Sequence, residues 1–451
     1  MRDVVGAGAD LNDAVLRPTE SVEHPNSGQP LHDLTGGNAW VSWVLASAVP
    51  GSPNYDPVND QILNQGPDTL TLNLTEGEGI DPEALLAGVD RAQQGLQMAA
   101  AIQGVAYDAF SGVLSFQVQN QTAHKLISGF PEGRRMFVNV KAYAGGELIY
   151  EVNPYTGTLG TLKGLPGTYS PSSPALEADQ VYVDELVYEV LPNSSLTGEA
   201  HTFHFALADG RYKDNRIPPK GFRVDEATAR LSQPVWEGMD APDYFTAEEY
   251  AGGYDSVNLA DLGVTIPGAD YVEINLYYQT TSREYVEFLR DEINGTASTL
   301  PPEAYIIQTD PFFDQLRAWG DAIWQLWDHN KDVPGASPLL MTQATVGAPS
   351  QPVVRFTLAE QSVLESVGQV TVTVELMAVS GVDVTVPYTV SGTATGGGVD
   401  HDLEDGSFLV PTGKLTDSVV FTVTQDLEVE DDDVSNRIFL PLLLRSFSGQ
   451  R

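Results

Sequence analysis

From Gly112 onward the apolar side chains fall on every second position, and this alternation limits the possible folds more than any other feature of the chain. Leu114, Phe116 and Val118 share one face while Ser115, Gln117 and Gln119 share the other, the pattern of a half-buried strand, because successive side chains leave a strand on opposite sides. The same period returns in Met136, Val138, Val140 and Ala142, in Val181 to Val190, in His201 to Ala208, and in Val272, Ile274, Leu276 and Tyr278. Gly/Pro-rich connections separate these runs and no helix intervenes, so the expected arrangement is an antiparallel sandwich.

Residues 1–75 are rich in Gly, Pro, Asn and Asp and read as an irregular segment. Asp81-Pro82 is a helix start, an N-cap followed by proline at the first helical position. Leu85, Val89, Ala92, Leu96 and Ala99 then recur at helical spacing, predicting a helix over 82–102. Two further helices are expected, at 282–291 and at 310–327, the second with a stripe of Phe312, Leu316, Trp319, Ile323 and Leu326 or Trp327. Gly347 to Pro352 looks like a linker. Beyond it the period is two again, in Phe356 and Leu358, Val370 to Leu376, Val384 to Val390, and Val419 to Val423. The expected fold class is therefore mainly β: two antiparallel β-sandwich domains, an irregular N-terminal segment, and about three helices packed on the first sandwich. The expected division is 1–75, 76–345, 352–433 and a tail at 434–451.

With 23 Lys plus Arg against 62 Asp plus Glu in 451 residues, the formal charge is −39, which repels phosphate backbones and argues against nucleic-acid binding. The same excess supplies oxygen ligands for hard cations such as calcium. The chain has no cysteine, so disulfides, thiolate metal sites and Cys nucleophiles are excluded. No apolar run reaches the roughly 18 residues of a transmembrane segment, and Met1-Arg2-Asp3-Val4 opens no signal-peptide pattern. The sequence carries no G-x-S-x-G, H-E-x-x-H, Walker loop or G-x-G-x-x-G, and the expectation is a non-catalytic protein.

Four segments carry a family resemblance: Leu31-His32-Asp33-Leu34-Thr35-Gly36-Gly37-Asn38-Ala39-Trp40, the run Asn120 to Met136, Phe203-His204-Phe205 with Tyr212-Lys213-Asp214-Asn215-Arg216-Ile217-Pro218-Pro219, and Tyr277-Tyr278-Gln279-Thr280-Thr281-Ser282-Arg283-Glu284-Tyr285. In their order they resemble the C-terminal, haem-free region of secreted multihaem c-type cytochromes, over about residues 1–345. A c-type haem is attached through C-x-x-C-H, which this chain lacks. The resemblance implies that Met1 is an internal methionine, and that haem is supplied only by a missing N-terminal region or a partner chain. On that reading His32 and His124 are candidate distal haem ligands in trans, against the plainer reading of loop histidines. Arg134 and Arg135 could meet haem propionates, but in so acidic a chain an internal carboxylate partner is expected. His201 and His204, three apart on an expected strand, point to opposite faces and do not share a metal.

The second resemblance covers about 352–433. Gly392-Thr393-Ala394-Thr395-Gly396-Gly397-Gly398-Val399-Asp400-His401, Val384-Thr385-Val386-Pro387-Tyr388 and Asp426 to Asp433 look like a Calx-beta domain, a calcium-binding sandwich of exported and cell-surface proteins. It implies calcium ligands at Glu365, Asp400, Asp426, Glu430 and Asp431. A solvated acidic loop is the alternative. Asp400-x-Asp402-x-Glu404 imitates an EF-hand start, but Asp405 stands where glycine is required.

Together these readings give an exported, extracellular or cell-surface protein, a non-catalytic part of an electron-transfer assembly carrying a calcium module. The alternative is a calcium-stabilised adhesion or matrix-binding protein that engages cell-surface polysaccharide and has no redox role.

Overall fold

The computed structural model describes residues 36–66, 70–71, 81–127, 133–167, 173–293, 312–347, 354–357, 368–376, 380, 383–390 and 396–424. Among the described residues strand outweighs helix, 37% to 24%, in several antiparallel sheets. The mainly β class read from the alternation is therefore what the chain adopts.

The largest sheet has nine strands and is built around Arg135–Ala144, which pairs antiparallel with Tyr271–Gln279 on one side and with Val187–Asn193 and Glu147–Val152 on the other. A second sheet of three strands, Tyr254–Asn258, Val113–Asn120 and Ala100–Asp108, lies against it. The alternation of Val113–Asn120 is realised residue by residue: Leu114, Phe116 and Val118 are buried with Val138, Val140, Ile274 and Leu276 of the larger sheet in one core. Removing a buried side chain of this size to Ala typically costs about 2–5 kcal/mol. The other face of Arg135–Ala144 is also covered, because Phe137 packs with Leu162, Leu165 and Val187.

The helix expected over 82–102 runs Pro82–Ala99, and the Asp81 carboxylate accepts from Glu83 N and Ala84 N at 3.0 and 3.3 Å. It ends before the expected point because Ala100–Asp108 enters the sheet against Val113–Asn120, where the ladder satisfies its backbone groups. The expected helices at 282–291 and 310–327 appear as Arg283–Ile293 and Phe312–His329. Ile323, Leu326 and Trp327 pack as the stripe requires, whereas Trp319 stays 38% exposed. The side chains of Phe312 and Leu316 lie outside the described residues.

The alternation differs from the structure in three places. Trp40–Ser47 and Pro57–Leu63 are helices within the segment read as irregular, bringing the count to seven α-helices among the described residues. Pro57–Leu63 is tied to the residue that follows Phe312–His329 by a buried amide pair, Asn59 and Asn330, whose side chains exchange hydrogen bonds of 2.9 and 2.7 Å, and Asn59 also donates to Ser47 Oγ of Trp40–Ser47 at 2.7 Å. The run Val181 to Val190 is interrupted by a 3-10 turn at Asp184–Leu186. Finally, His201 to Ala208 is no strand: Thr202 and His204 both turn to the Glu199 carboxylate, at 2.7 and 2.8 Å, and Phe203 packs on Tyr285 and Phe288. Aromatic packing on a helix had produced the same period as a pleat.

Beyond residue 347, Val354–Phe356, Gln369–Leu376 and Thr416–Thr422 form one antiparallel sheet, and Val384–Tyr388 pairs with Gly406–Val410 in another. Val370, Val372, Val374, Val386, Phe408, Val410 and Phe421 bury one common core between them. Among the described residues no helix is long and apolar enough to cross a membrane.

Candidate functional site

The four segments that set this sequence apart meet in space. Thr280 Oγ1 donates to the Gly37 carbonyl at 2.9 Å, joining the first segment to the fourth. Ser282 N donates to the Gly133 carbonyl at 3.0 Å, and Arg135 Nε donates to Gln279 Oε1 at 2.8 Å, joining the fourth to the second. Leu126 and Ile217 exchange backbone hydrogen bonds of 2.8 and 3.0 Å, which joins the second to the third. Asn120 clamps that junction, its Nδ2 donating to the carbonyls of His124 and Ile217.

Buried charge fills the network. Arg135 and Glu284, with side chains 4% and 3% exposed, pair at 3.1 Å, and the Thr161 hydroxyl donates to the same carboxylate. The internal carboxylate expected for the arginine pair is thus Glu284, for Arg135. Lys213 is 1% exposed and reaches Asp184 Oδ1 at 2.9 Å and Glu189 Oε1 at 3.2 Å. Burial pushes the Glu189 carboxyl up in spite of Lys213.

Asp214 holds three cations. Its Oδ2 accepts from Lys125 Nζ at 3.0 Å, Arg211 Nη1 at 2.8 Å and Arg216 Nη2 at 3.1 Å, while Oδ1 accepts from Arg216 Nε at 2.9 Å. The Asp214 side chain is 1% exposed. Burial alone would raise its carboxyl, but Arg216 and Lys125 overcome that and hold it at about 2. Lys125 is in the opposite position, because burial is joined by repulsion from Arg216 and Arg211, and Asp214 offsets them only in part, leaving its amine at about 8. One carboxylate surrounded by three cations is well compensated; each of the cations is not.

His124 lies at the edge of this cluster and is exposed. Its Nδ1 is 3.0 Å from the Lys125 carbonyl and 3.2 Å from Thr122 Oγ1. With the proton on Nδ1 donated to that carbonyl, Nε2 carries the bare lone pair, the form in which imidazole binds a metal. A c-type haem cannot be attached to a chain without cysteine, so these residues fit a haem only as a ligand offered from outside its own attachment site. His204 Nδ1 is engaged by Glu199 at 2.8 Å, and neither His201 nor His204 belongs to a group of three or more His, Cys, Asp or Glu that could hold a metal among the described residues. His32 lies outside the described residues.

The calcium candidates separate in the same way. Asp400 closes the turn Gly396 to His401, in which Gly397 and Gly398 take φ of 75° and 87° and Gly398 N donates to the His401 carbonyl at 2.8 Å. Its backbone oxygen accepts from Thr424 N at 2.8 Å, pinning the turn to the sheet that carries Thr416–Thr422. Asp402 Oδ1 accepts from Thr422 N at 2.6 Å and Asp405 Oδ1 from Val390 N at 2.6 Å. These two acids are committed to the backbone, in keeping with the rejected EF-hand pattern. Glu365, Asp426, Glu430 and Asp431 lie outside the described residues, among which no group of three or more His, Cys, Asp or Glu could hold a metal ion.

Sequence reasoning overlooked the Asp214 cluster. Its signal was the spacing of Arg211, Lys213, Asp214 and Arg216 in a chain otherwise short of cations.

Comparison with known proteins identifies a Calx-beta domain at residues 348–444, where the sequence reading placed it at 352–433. Among solved structures, the chain is similar to the crystal structure of a penta-heme cytochrome c552 from Thermochromatium tepidum, at 11% identity over 64% of this chain and 50% of that one, with a TM-score of 0.29. The chain spans about half the length of that cytochrome, and the likeness is too remote to carry an argument about haem. No curated protein matches the chain.

Proposed function

We propose that this chain is an exported, non-catalytic protein in which a calcium-binding Calx-beta module follows a β-rich body that docks on a haem-bearing partner, as one part of an extracellular electron-transfer assembly. The observation that carries the reading is the Calx-beta domain at 348–444. Such domains are calcium-binding modules typical of extracellular and membrane-associated proteins. Calcium takes six to eight oxygens at about 2.3–2.6 Å from converging loops, and on this reading Asp400 supplies one of them, with Glu365, Asp426, Glu430 and Asp431 as the remaining carboxylates. Several carboxylates brought together repel unless a cation compensates them, so calcium orders the loops that it joins.

The haem-docking half rests on the four motif segments and is supported by the exposed His124 ring, whose Nδ1 lies 3.0 Å from the Lys125 carbonyl. The haem itself is held by a partner chain or by a further region of a longer product, and His124 offers Nε2 to its iron. His32 is the second candidate for that role.

Two titrations test the reading. Calorimetric titration of the full chain with calcium is expected to show saturable binding that Asp400→Ala weakens at least tenfold; unchanged binding in the variant removes the site assignment. A haem peptide with one open axial position is expected to shift its Soret band on mixing with the wild-type chain but not with His124→Ala. Equal shifts with both proteins remove His124 from the docking face.

A further inference from the structure

We propose that Lys125, Arg211 and Arg216 form a binding site for a small oxyanion, a sulfate, phosphate or carboxylate group, at the junction of the 120–127 and 210–217 segments. The inference does not depend on the calcium or haem readings.

The first argument is charge. Among the described residues, Asp214 is the one carboxylate with which these three cations pair, so the cluster keeps a net charge of +2 in a chain whose formal charge is −39. All three cationic heads lie within 3.1 Å of a single oxygen, Asp214 Oδ2, and their excess charge is concentrated in one place. It is also sheltered: the side chains of Lys125, Arg211 and Arg216 are 10%, 19% and 19% exposed, and partial burial strengthens attraction for an anion relative to open water.

The second argument is the set of unused donors. Lys125 commits one N–H to Asp214, and its ammonium lies 5.8 Å from the centre of the Phe222 ring. Arg211 commits Nη1 to Asp214 and to the Gln233 carbonyl, leaving Nε and Nη2 without a protein acceptor among the described residues. Arg216 spends Nε, Nη1 and Nη2 on Asp214 and the Ile127 carbonyl, and acts mainly to fix Asp214 in place. The arrangement is a rigid carboxylate anchoring cations whose remaining N–H groups need acceptors. An oxyanion supplies acceptors and charge together, and planar guanidinium groups suit its geometry. The Lys125 amine is held down first by burial and then by Arg216 and Arg211, and the same anion would relieve the repulsion from the two arginines.

The test uses the full chain and sodium sulfate at constant ionic strength, balanced with chloride, with acetate as a parallel arm that separates tetrahedral from carboxylate preference. Isothermal titration is expected to give saturable binding, weakened at least tenfold by Lys125→Met and by Arg211→Gln. In the same solutions, sulfate is expected to slow acetylation of Lys125 by acetic anhydride, read by peptide mass spectrometry, relative to the other lysines. Arg211→Gln leaves Lys125 paired with Asp214, so it reports on anion binding even where Lys125→Met alters folding. Heats that are linear and equal in the wild type and both variants, with no selective protection of Lys125 by either anion, would overturn the proposal, because a general salting effect acts without a site.

Discussion

Replacing Asp214 by Asn keeps the shape of the side chain and removes the one negative charge among three cations. The Asp214 carboxyl sits at about 2 against an ordinary 3.8, and about 1.8 units at roughly 1.36 kcal/mol each amount to about 2.5 kcal/mol of stability at neutral pH. A depressed carboxyl contributes its stability above its unfolded value and loses it as pH falls through the folded value. The wild-type advantage over Asp214→Asn is therefore expected to be constant from pH 7 to about 4 and to collapse between pH 4 and 2. Lys125 carries the opposite sign: its amine lies at about 8 in the fold against an ordinary 10.5, so stability is recovered only as pH rises from about 8 towards 10. Lys125→Met is accordingly expected to change stability at pH 7 by less than about 1 kcal/mol, or to raise it, since a buried charge can cost as much as its pairing returns. Urea unfolding followed by tryptophan fluorescence suits the comparison, because all six tryptophans precede residue 348, where the Calx-beta match begins. An Asp214→Asn cost below about 0.5 kcal/mol, or a Lys125→Met cost above about 3 kcal/mol, would refute this account of the cluster.

Three further outcomes are expected. Asp255 is pushed up to about 6 by burial and accepts the Tyr188 hydroxyl at 2.6 Å; its share of stability is present below its ordinary value of 3.8 and lost as pH rises through 6. Asp255→Asn keeps the acceptor, so the unfolding free energy from urea titration should rise at pH 7 by about 1–3 kcal/mol, with the gain shrinking by pH 4; an equal effect at both pH values contradicts the burial argument. Gly160 has φ of 70° and an added Cβ would strike the Trp327 ring, so Gly160→Ala should cost at least about 1–3 kcal/mol, read as a lower melting temperature, whereas an unchanged value would show that the ring can yield. Glu284→Gln leaves the Arg135 guanidinium buried without its counter-charge and should cost about 3–5 kcal/mol in the same assay; a loss under 1 kcal/mol would mean that solvent reaches the pair.

How legible the sequence was depends on which physical signal each element carried. Val113–Asn120 and Tyr271–Gln279 were readable because period-two alternation is a direct consequence of one buried face. The helix at Pro82–Ala99 was readable from its cap, yet Asp56-Pro57 is the same signature, with Asp56 accepting from Val58 N and Asn59 N, and the helix it starts went unread. Seven residues are too few for a periodic stripe, and glycine and proline around it pointed to a loop. His201 to Ala208 failed for the opposite reason, since alternation there came from Phe203 and Phe205 packing on Tyr285. The Asp214 cluster was invisible as a site because the partnership of Lys125 with Asp214, 89 residues apart, exists only once Leu126 meets Ile217. Of the proposed calcium ligands, Asp400 alone lies among the described residues, on a turn set by two left-handed glycines of the Gly396-Gly397-Gly398 run.

The central claim, a calcium-binding module built on residues 348–444, is tested most directly by scanning calorimetry of the full chain in calcium and in chelator. With calcium at about 100 times its dissociation constant, mass action stabilises the module by roughly 2.7 kcal/mol. The expected result is a calcium-dependent rise in one thermal transition, absent in Asp400→Ala, while the transition monitored by tryptophan fluorescence stays in place. Superimposable scans with and without calcium would contradict the account.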